Sequence, residues 1–259
     1  MTIPTLGVRA VAVVALLAAL ALAAGACGAT PAAGGGESRE LSVFAAASLT
    51  DAFSELGDQF TAAHPGVTVT FNFAGSNDLV TQLQQGAPAD VLATADTKNM
   101  DAAGDLVGAP QAFAANKLAI AVAPGNPIGI TGLADLARKD LKVVLAAPEV
   151  PAGKYAQEAL ATAGVSVEPV SLEVSVKGVV TKVSLGEADA GMVYVTDVAA
   201  AAGKLDGIAI PDGQNVLATY PIAALAASAH ADDAKAFVDL VLSPEGRRVL
   251  ADYGFLPAP

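Results

Sequence analysis

Two stretches of this sequence decide its fold: Phe44–Asp51, which reads FAAASLTD, and Phe73–Asp78, which reads FAGSND. In each stretch, a run of β-prone residues gives way to small residues and then to a serine. Apolar residues after the first serine recur at three- and four-residue steps, the spacing of one helix face, at Leu49, Ala52, Phe53, Leu56 and Phe60. Each stretch is therefore predicted to lead from a strand into a helix.

The serines in these turns, Ser48 and Ser76, support two interpretations. A serine just before a helix is a common N-cap, and Ser48 with Asp51 has the spacing of a capping box. Alternatively, both serines help to hold an anion, because the first N–H groups of a helix have no intrahelical partner and lie at the positive end of its dipole. Ligands of α/β proteins also bind at the carboxyl ends of the strands, where both serines lie. Both interpretations remain open at this point.

The amino terminus has the pattern of an export signal. Residues 10–24 form an unbroken apolar run, preceded by one charged residue, Arg9, and followed by small residues up to Cys27. A positive start and an apolar run that is short for a membrane-spanning helix are typical of a signal peptide. We therefore predict a signal peptide over residues 1–27 and an exported protein.

Cys27 is the only cysteine, so the chain can form no intramolecular disulfide bond. Its position after Ala24-Gly25-Ala26 resembles a bacterial lipobox, although that motif prefers leucine where this chain has Ala24. Lipidation of Cys27 would anchor the protein to the outer face of the cytoplasmic membrane. The alternative is an ordinary cleaved signal and a free periplasmic protein. Residues 28–39, rich in Ala, Gly, Pro and Ser, are predicted to form a flexible tether.

Acidic side chains dominate the exported chain. Removal of the signal takes away one of the 14 basic residues and none of the 26 acidic ones, so 13 basic residues remain and the net charge is −13. Such a surface repels nucleic acid, and no basic cluster offsets it. An anion site in this protein must therefore rely on local dipoles, since salt screens the long-range field beyond about 8–10 Å.

The rest of the chain continues the alternation of strands and helices. Short apolar runs between Gly and Pro residues predict buried strands of a sheet that is covered on both faces. The predicted strands are residues 41–44, 67–73, 90–94, 118–123, 142–146, 170–174 and 190–194. Helices are predicted after the strands at 41–44, 67–73, 142–146, 170–174 and 190–194, and two more follow from Asp232 and from Ser243. This alternation predicts an α/β fold with doubly wound sheets, and the carboxyl end of the chain is expected to pack back onto the first part of the fold.

Two helix starts in the second part of the chain are predicted to lack a hydroxyl cap. Val150-Pro151 precedes the helix that begins near Ala152, and Ser175-Val176 precedes the one that begins near Lys177. The amides of Ala152 and Val176 would then need a hydrogen-bond partner. That partner is either water or an anion shared with the serine turns.

Six motifs occur in a fixed order along the chain. They are Phe44–Leu49, Phe73–Ser76, Pro88–Val91, Val150–Tyr155, Gly186–Tyr194 and Ser243–Gly246. Each motif is weak alone, but the ordered set resembles the periplasmic molybdate-binding proteins of ABC importers. The resemblance covers nearly all of residues 41–257.

This resemblance implies the two-lobed periplasmic-binding-protein fold of type II, with a doubly wound sheet flanked by helices in each lobe. The chain would cross between the lobes twice, near Lys117 and near Thr219. Residues 40–117 and 220–259 would form lobe 1, and residues 118–219 would form lobe 2.

The resemblance also implies an anion held in the cleft by hydroxyl groups and main-chain amides. The matching donors are Ser48 and Ser76 on one lobe, and the Ala152 amide, the Val176 amide and the Tyr194 hydroxyl on the other. Many relatives have a second serine where this chain has Asn77.

The implied ligand is molybdate or tungstate, with no cofactor and no metal cation bound by side chains. The implied partner is the permease of an ABC transporter, and we expect a monomer.

The chemistry of these anions suits a site made only of donors. Molybdate and tungstate carry no proton at neutral pH and only accept hydrogen bonds, so N–H and O–H groups satisfy them. Hydrogen phosphate carries a proton that would find no acceptor, which costs about 1–3 kcal/mol. Sulfate must be rejected by size, because donors placed for a larger tetrahedron cannot all reach a smaller one.

Other functions receive less support from the sequence. Within the class of binding proteins, the alternative is a binder of sulfate or another tetrahedral oxyanion. A secreted serine hydrolase would need a base near Ser48 or Ser76, and the two histidines, His64 and His230, are predicted in distant turns. Neither serine lies in a Gly-x-Ser-x-Gly motif, and the histidines form no metal-ligand cluster with Cys27. We therefore expect no catalytic residues and no enzyme activity.

Overall fold

The fold is taken from a computed structural model, which describes residues 39–259. The predicted signal peptide, the lipidation of Cys27 and the tether up to Ser38 lie outside the described residues. Arg39, predicted as the end of the tether, is instead the first residue of a strand.

Strands and helices alternate through most of the described chain. The strands are β1 (Arg39–Ala46), β2 (Val67–Ala74), β3 (Val91–Ala93), β4 (Gln111–Val122), β5 (Val143–Ala146), β6 (Ser171–Glu173), β7 (Ala190–Tyr194), β8 (Asp206–Ala209), β9 (Leu217–Ala224) and β10 (Leu256–Pro257). The α-helices are α1 (Thr50–Ala63), α2 (Ser76–Gln84), α3 (Thr97–Ala103), α4 (Pro151–Ala163), α5 (Val176–Ser184), α6 (Val195–Ala200), α7 (Ala231–Leu242) and α8 (Pro244–Asp252). Short 3-10 turns at Ala47–Leu49, Gly104–Leu106 and Leu133–Ala137 complete the fold.

The strands form one connected sheet in the order β2-β1-β3-β9-β4-β7-β5-β6, with β8 and β10 also paired to β4. In what we call the first half of the sheet, β1 runs parallel to β2 and β3, and β9 is antiparallel to β3. In the second half, β5 runs parallel to β6 and β7.

Strand β4 belongs to both halves of the sheet. Residues Gln111 to Lys117 pair with β9 of the first half, whereas Leu118 to Val122 pair with β7 of the second. The pairing partner therefore changes between Lys117 and Leu118, within one continuous strand.

Helices cover both faces of the first half. Strand β1 alternates, so Val43 and Ala45 belong to the larger core cluster, together with residues of α1, α7 and α8. Phe44 points to the opposite face, where it packs in a smaller cluster with residues of α2 and α3. In the second half, α4 and α5 pack against β5 and β7. Strands with both faces buried are what the apolar runs of the sequence predict.

The predicted α/β alternation is confirmed, with differences at particular elements. Strand β4 begins at Gln111, seven positions before the predicted Leu118, because its first part gains partners in β9 and β10 that are remote in sequence. Helix α3 is not predicted; it is a short helix whose N-cap, Asp96, accepts a hydrogen bond from the Asn99 amide. Strand β8 is also missed, since most of its residues are exposed and it has no apolar run. The carboxyl-terminal helices α7 and α8 contact α1, so this end of the chain packs back onto the first half, as expected.

Candidate functional site

A small cavity lies where strands of both halves end and where helices of both halves begin. It is small: the volume open to the centre of a water-sized sphere is about 10 Å³. It is lined by Ala46, Ala47, Ser48, Ala74, Gly75, Ser76, Ala95, Val150, Pro151, Ala152, Val176 and Tyr194. None of these residues carries a charge. The cavity is therefore a neutral pocket at the carboxyl ends of β1, β2 and β7 and at the starts of α2, α4 and α5.

The five residues that the sequence analysis proposes as ligand donors all line this cavity. Ser48 and Ser76 reach it from the first half of the sheet. Ala152, Val176 and Tyr194 reach it from the second. The structure thus brings together residues that are up to 146 positions apart in the sequence.

Ser48 does not cap a helix, so the predicted capping box with Asp51 is wrong. A 3-10 turn at Ala47–Leu49 separates β1 from α1, and the residue before α1 is Leu49, which makes no side-chain cap. Because of this extra turn, Ser48 lies inside the 3-10 turn and not at the position before α1, where it could cap that helix. Its Oγ lies 3.0 Å from the Tyr220 hydroxyl oxygen.

Ser76 does not cap α2 either, because it is the first residue of that helix and Gly75 occupies the N-cap. The Ser76 hydroxyl oxygen instead accepts a hydrogen bond from the Ala95 amide, at 3.0 Å. An amide can only donate, so the hydroxyl proton of Ser76 is free for another acceptor. Asn77, the position at which this chain departs from many relatives, does not line the cavity.

The amides of Ala152 and Val176 are unpaired helix-start donors. Helix α4 has no side-chain cap, as predicted, and its first residue, Pro151, has no N–H group. For α5 the prediction is wrong: Ser175 is its N-cap, and the Ser175 hydroxyl accepts from the Gly178 amide at 3.4 Å. This cap serves only the third residue of the helix. Within residues 39–259, neither the Ala152 amide nor the Val176 amide has a hydrogen-bond partner.

Tyr194 supplies the third donor of the second half. Its side chain is 1% exposed, and within the described residues its hydroxyl has no hydrogen-bond partner. Burial raises the pKa of Tyr194 well above its ordinary value, so the phenol keeps its proton. An unpaired buried hydroxyl costs about 1–3 kcal/mol. A ligand that accepts from this hydroxyl would remove that cost.

The two halves touch beside the cavity. A methyl group added at Gly75 would lie 2.6 Å from the carbonyl oxygen of Val174, which follows β6 in the second half. Two ion pairs also join the halves, and their lysines lie one or two positions after residues of the cavity in the sequence. Lys154 Nζ is 3.6 Å from Asp96 Oδ2, and Lys177 Nζ is 3.3 Å from Asp51 Oδ2.

The two histidines of the chain do not line this cavity. His64 Nδ1 is 2.9 Å from the Phe60 carbonyl, and His230 Nδ1 is 3.5 Å from Asp90 Oδ2, so neither histidine contacts Ser48 or Ser76. Among residues 39–259, no group of three or more His, Cys, Asp or Glu side chains could hold a metal ion. In the same part of the chain, no helix has the length and apolar character needed to cross a membrane.

Comparison with known proteins decides the family. The model of the family described as bacterial extracellular solute-binding protein matches residues 41–256. The molybdate-binding protein ModA of Mycobacterium tuberculosis is 46% identical over 221 residues, which cover 84% of this chain and 85% of the relative. The chain belongs to the ModA family of solute-binding proteins. ModA of Escherichia coli is 33% identical, with 83% of this chain and 88% of the relative covered.

Solved structures of related proteins agree with the fold of this ModA family member. The periplasmic molybdate-binding protein of Azotobacter vinelandii has a TM-score of 0.71 at 21% identity, and covers 85% of this chain and 100% of its own. The sulfate-binding protein SubI of M. tuberculosis has a TM-score of 0.75 at 21% identity, with coverages of 85% and 87%. The chain therefore has the periplasmic-binding-protein fold predicted from its sequence. Its family consists of extracytoplasmic transport proteins, not enzymes.

Tyr220, in β9, contacts Ser48 but is not singled out by the sequence analysis. The two residues are 172 positions apart, so no local pattern connects them. Tyr220 is fully buried, and this burial raises its pKa.

The buried tyrosines make stability depend on alkaline pH. Since burial raises the pKa of Tyr194 and of Tyr220 above the ordinary value of 10.0, the unfolded chain releases phenol protons that the folded chain keeps. The free energy of unfolding should therefore fall as the pH rises above about 10. Tyr194→Phe should make this fall less steep, as measured by urea unfolding at a series of pH values.

Tyr253→Phe is the control for this experiment, because Tyr253 lies near the surface in the turn after α8. It should change the pH dependence less than Tyr194→Phe does. Identical pH dependences in the wild-type protein and in Tyr194→Phe would show that the Tyr194 phenol ionises in the folded state.

Proposed function

We propose that this protein captures molybdate, and also tungstate, in the cavity between the two halves and delivers it to the permease of an ABC importer. The observation that carries the proposal is the set of neutral donors from both halves that line one small cavity. The main-chain amides of Ala152 and Val176 and the hydroxyl of Tyr194 are all unpaired there. The molybdate-binding relatives named above support the choice of ligand.

A proton-free dianion suits this site because it can accept from every donor at once. Helix starts place partial positive charge at the cavity without placing a cation in it. The nearby lysines, Lys154 and Lys177, are already paired with carboxylates. Neutral dipoles would therefore hold the anion, although the whole protein is strongly acidic.

We further propose that the halves of the sheet correspond to two lobes that close on the ligand. Lobe 1 would comprise residues 40–117 and 220–259, and lobe 2 residues 118–219. The change of pairing partner between Lys117 and Leu118 within β4 supports the first of the two crossovers. Because donors from both lobes are needed to surround the anion, binding would draw the lobes together by a hinge rotation.

The remaining proposals rest on the sequence. We propose export by the signal peptide of residues 1–27 and a lipid anchor at Cys27 on the outer face of the cytoplasmic membrane. A protein held in this way stays close to the permease that receives its cargo. The binding scheme needs only one copy of the chain, so we propose a monomer.

A thermal-shift and calorimetry screen tests the ligand. A ligand present at about 100 times its dissociation constant adds about 2.7 kcal/mol of apparent stability. Molybdate and tungstate should therefore raise the melting temperature, whereas sulfate and phosphate at the same concentration should raise it little. A larger shift with sulfate than with molybdate would replace the proposed function by sulfate binding, and no shift with any oxyanion would refute an oxyanion site.

Removal of single donors tests the site residues. Tyr194→Phe should weaken molybdate binding by about 1–3 kcal/mol, the cost of one unmade buried hydrogen bond. It should leave the free energy of unfolding of the unliganded protein unchanged or higher, because the Tyr194 hydroxyl has no partner there. Ser76→Ala should also weaken binding. Isothermal titration calorimetry and urea unfolding measure the two quantities.

Residues outside the cavity provide matched controls for these variants. Ser54→Ala, in α1, and Tyr253→Phe remove the same chemical groups away from the cavity and should leave the affinity unchanged. Unchanged affinity in Tyr194→Phe and in Ser76→Ala would remove both residues from the site.

Gly75→Ala tests the closure of the lobes. The backbone of Gly75, with φ −59° and ψ 138°, suits alanine, so the new methyl group acts through two collisions, with the Val174 carbonyl of the second half and with Asn77 Oδ1, the end of a side chain that can turn away. If the lobes can separate, the variant should lose about 1–3 kcal/mol of binding free energy and keep its unliganded stability. Gly213→Ala is the control, because a methyl group there meets no atom within 4 Å. Unchanged affinity for molybdate in Gly75→Ala would contradict closure of the lobes at this contact.

A further inference from the structure

A buried chain of hydrogen bonds lies behind Ser48. Its members are Tyr220 in β9, Asn116 in β4 and Thr196 in α6, and each is at most 4% exposed. Asn116 Nδ2 is 2.9 Å from Thr196 Oγ1 and 3.5 Å from the Tyr220 hydroxyl oxygen. That oxygen lies in turn 3.0 Å from Ser48 Oγ. The chain thus connects both halves of the fold to one wall of the cavity.

The orientation of the Asn116 amide sets the direction of the first bonds. Asn116 Oδ1 accepts from the Lys117 amide at 2.9 Å, and a main-chain amide can only donate. Asn116 Nδ2 must therefore face Thr196 and Tyr220. An amide NH₂ group has two protons, one for each of these oxygens.

The same rule sets the direction of the last bond. Since the Tyr220 oxygen receives a proton from Asn116, its own O–H group is free to donate to another oxygen. Within the described residues, the other hydrogen-bond partner of the Tyr220 hydroxyl is Ser48 Oγ. With Tyr220 as the donor of this bond, Ser48 accepts, and the Ser48 proton is left to point toward the cavity that this residue lines.

We infer that Tyr220, oriented by Asn116, is a positioning residue that fixes Ser48 as a donor and so makes the site select against oxyanions that carry a proton. This inference rests on the proposed function. A serine without such a partner can rotate and accept a hydrogen bond. Ser76 is fixed in the same sense by the Ala95 amide, so both serines present protons to the cavity.

Tyr220→Phe tests the inference with little change of shape. The ring of Tyr220 packs against those of Phe113, Tyr194 and Phe255 at centroid distances of 6.2, 5.9 and 5.5 Å, and a phenylalanine ring keeps these contacts. Without the phenol, Ser48 could accept the proton of hydrogen phosphate. Sulfate is similar to phosphate in size but carries no proton. A comparison of the affinities for these two anions therefore separates rejection of a bound proton from rejection by size.

Sulfate and phosphate are each used to displace bound molybdate, and calorimetry near neutral pH measures their affinities. The ratio of the phosphate affinity to the sulfate affinity should be about tenfold higher in Tyr220→Phe than in the wild-type protein. This factor corresponds to one buried hydrogen bond gained by phosphate. Tyr253→Phe should leave the ratio unchanged. An unchanged ratio in Tyr220→Phe, or an equal loss of affinity for all anions, would overturn the inference and leave Tyr220 a packing residue.

Asn116→Ala provides a second variant if Tyr220→Phe does not fold. This variant removes the side-chain amide that orients the Tyr220 hydroxyl but leaves Tyr220 in place. It should raise the ratio of phosphate affinity to sulfate affinity, as Tyr220→Phe does. Failure of the proposed function has a different signature, because the wild-type protein itself would then not bind molybdate. A wild-type protein that binds molybdate, with variants whose ratio does not move, contradicts this inference alone.

Discussion

The cavity depends on hydrogen-bond donors that the protein leaves without partners of its own. The Tyr194 hydroxyl and the amides of Ala152 and Val176 are unpaired in the described part of the chain. Buried groups of this kind lower the stability of a fold, and a fold retains them where something else accepts their protons. Their convergence on one neutral cavity explains how a strongly acidic protein can bind an anion without a lysine or arginine in the pocket.

The sheet explains why these donors meet. Parallel strands present their carboxyl ends at one edge, so the turns after β1 and β2 lie together, as do the turns around β5 and β7. Strand β4 joins the two edges because it pairs with β9 in its first part and with β7 in its second. One continuous strand thus places the helix starts of the first half opposite those of the second half, with the cavity between them.

The sequence predicts this arrangement where the information is local or follows from the family resemblance. The alternation of apolar runs predicts the strands, and the ordered motifs identify the residues that line the cavity. Capping is predicted wrongly at Ser48 and at Ser175, because one extra 3-10 turn or a shift of one residue in a helix start decides whether a hydroxyl reaches an amide. Tyr220 and Asn116 could not be predicted, since their roles arise from contacts between remote strands.

The size of the cavity is set mainly by backbone, because half of its wall consists of alanine and glycine. These residues are Ala46, Ala47, Ala74, Gly75, Ala95 and Ala152. These positions have almost no side-chain atoms to remove, so substitutions there can narrow this pocket but can hardly widen it. On this side of the pocket, room for a bulkier cargo would require displacement of whole strands or helices, whereas adaptation to a smaller ion would need only an added methyl group.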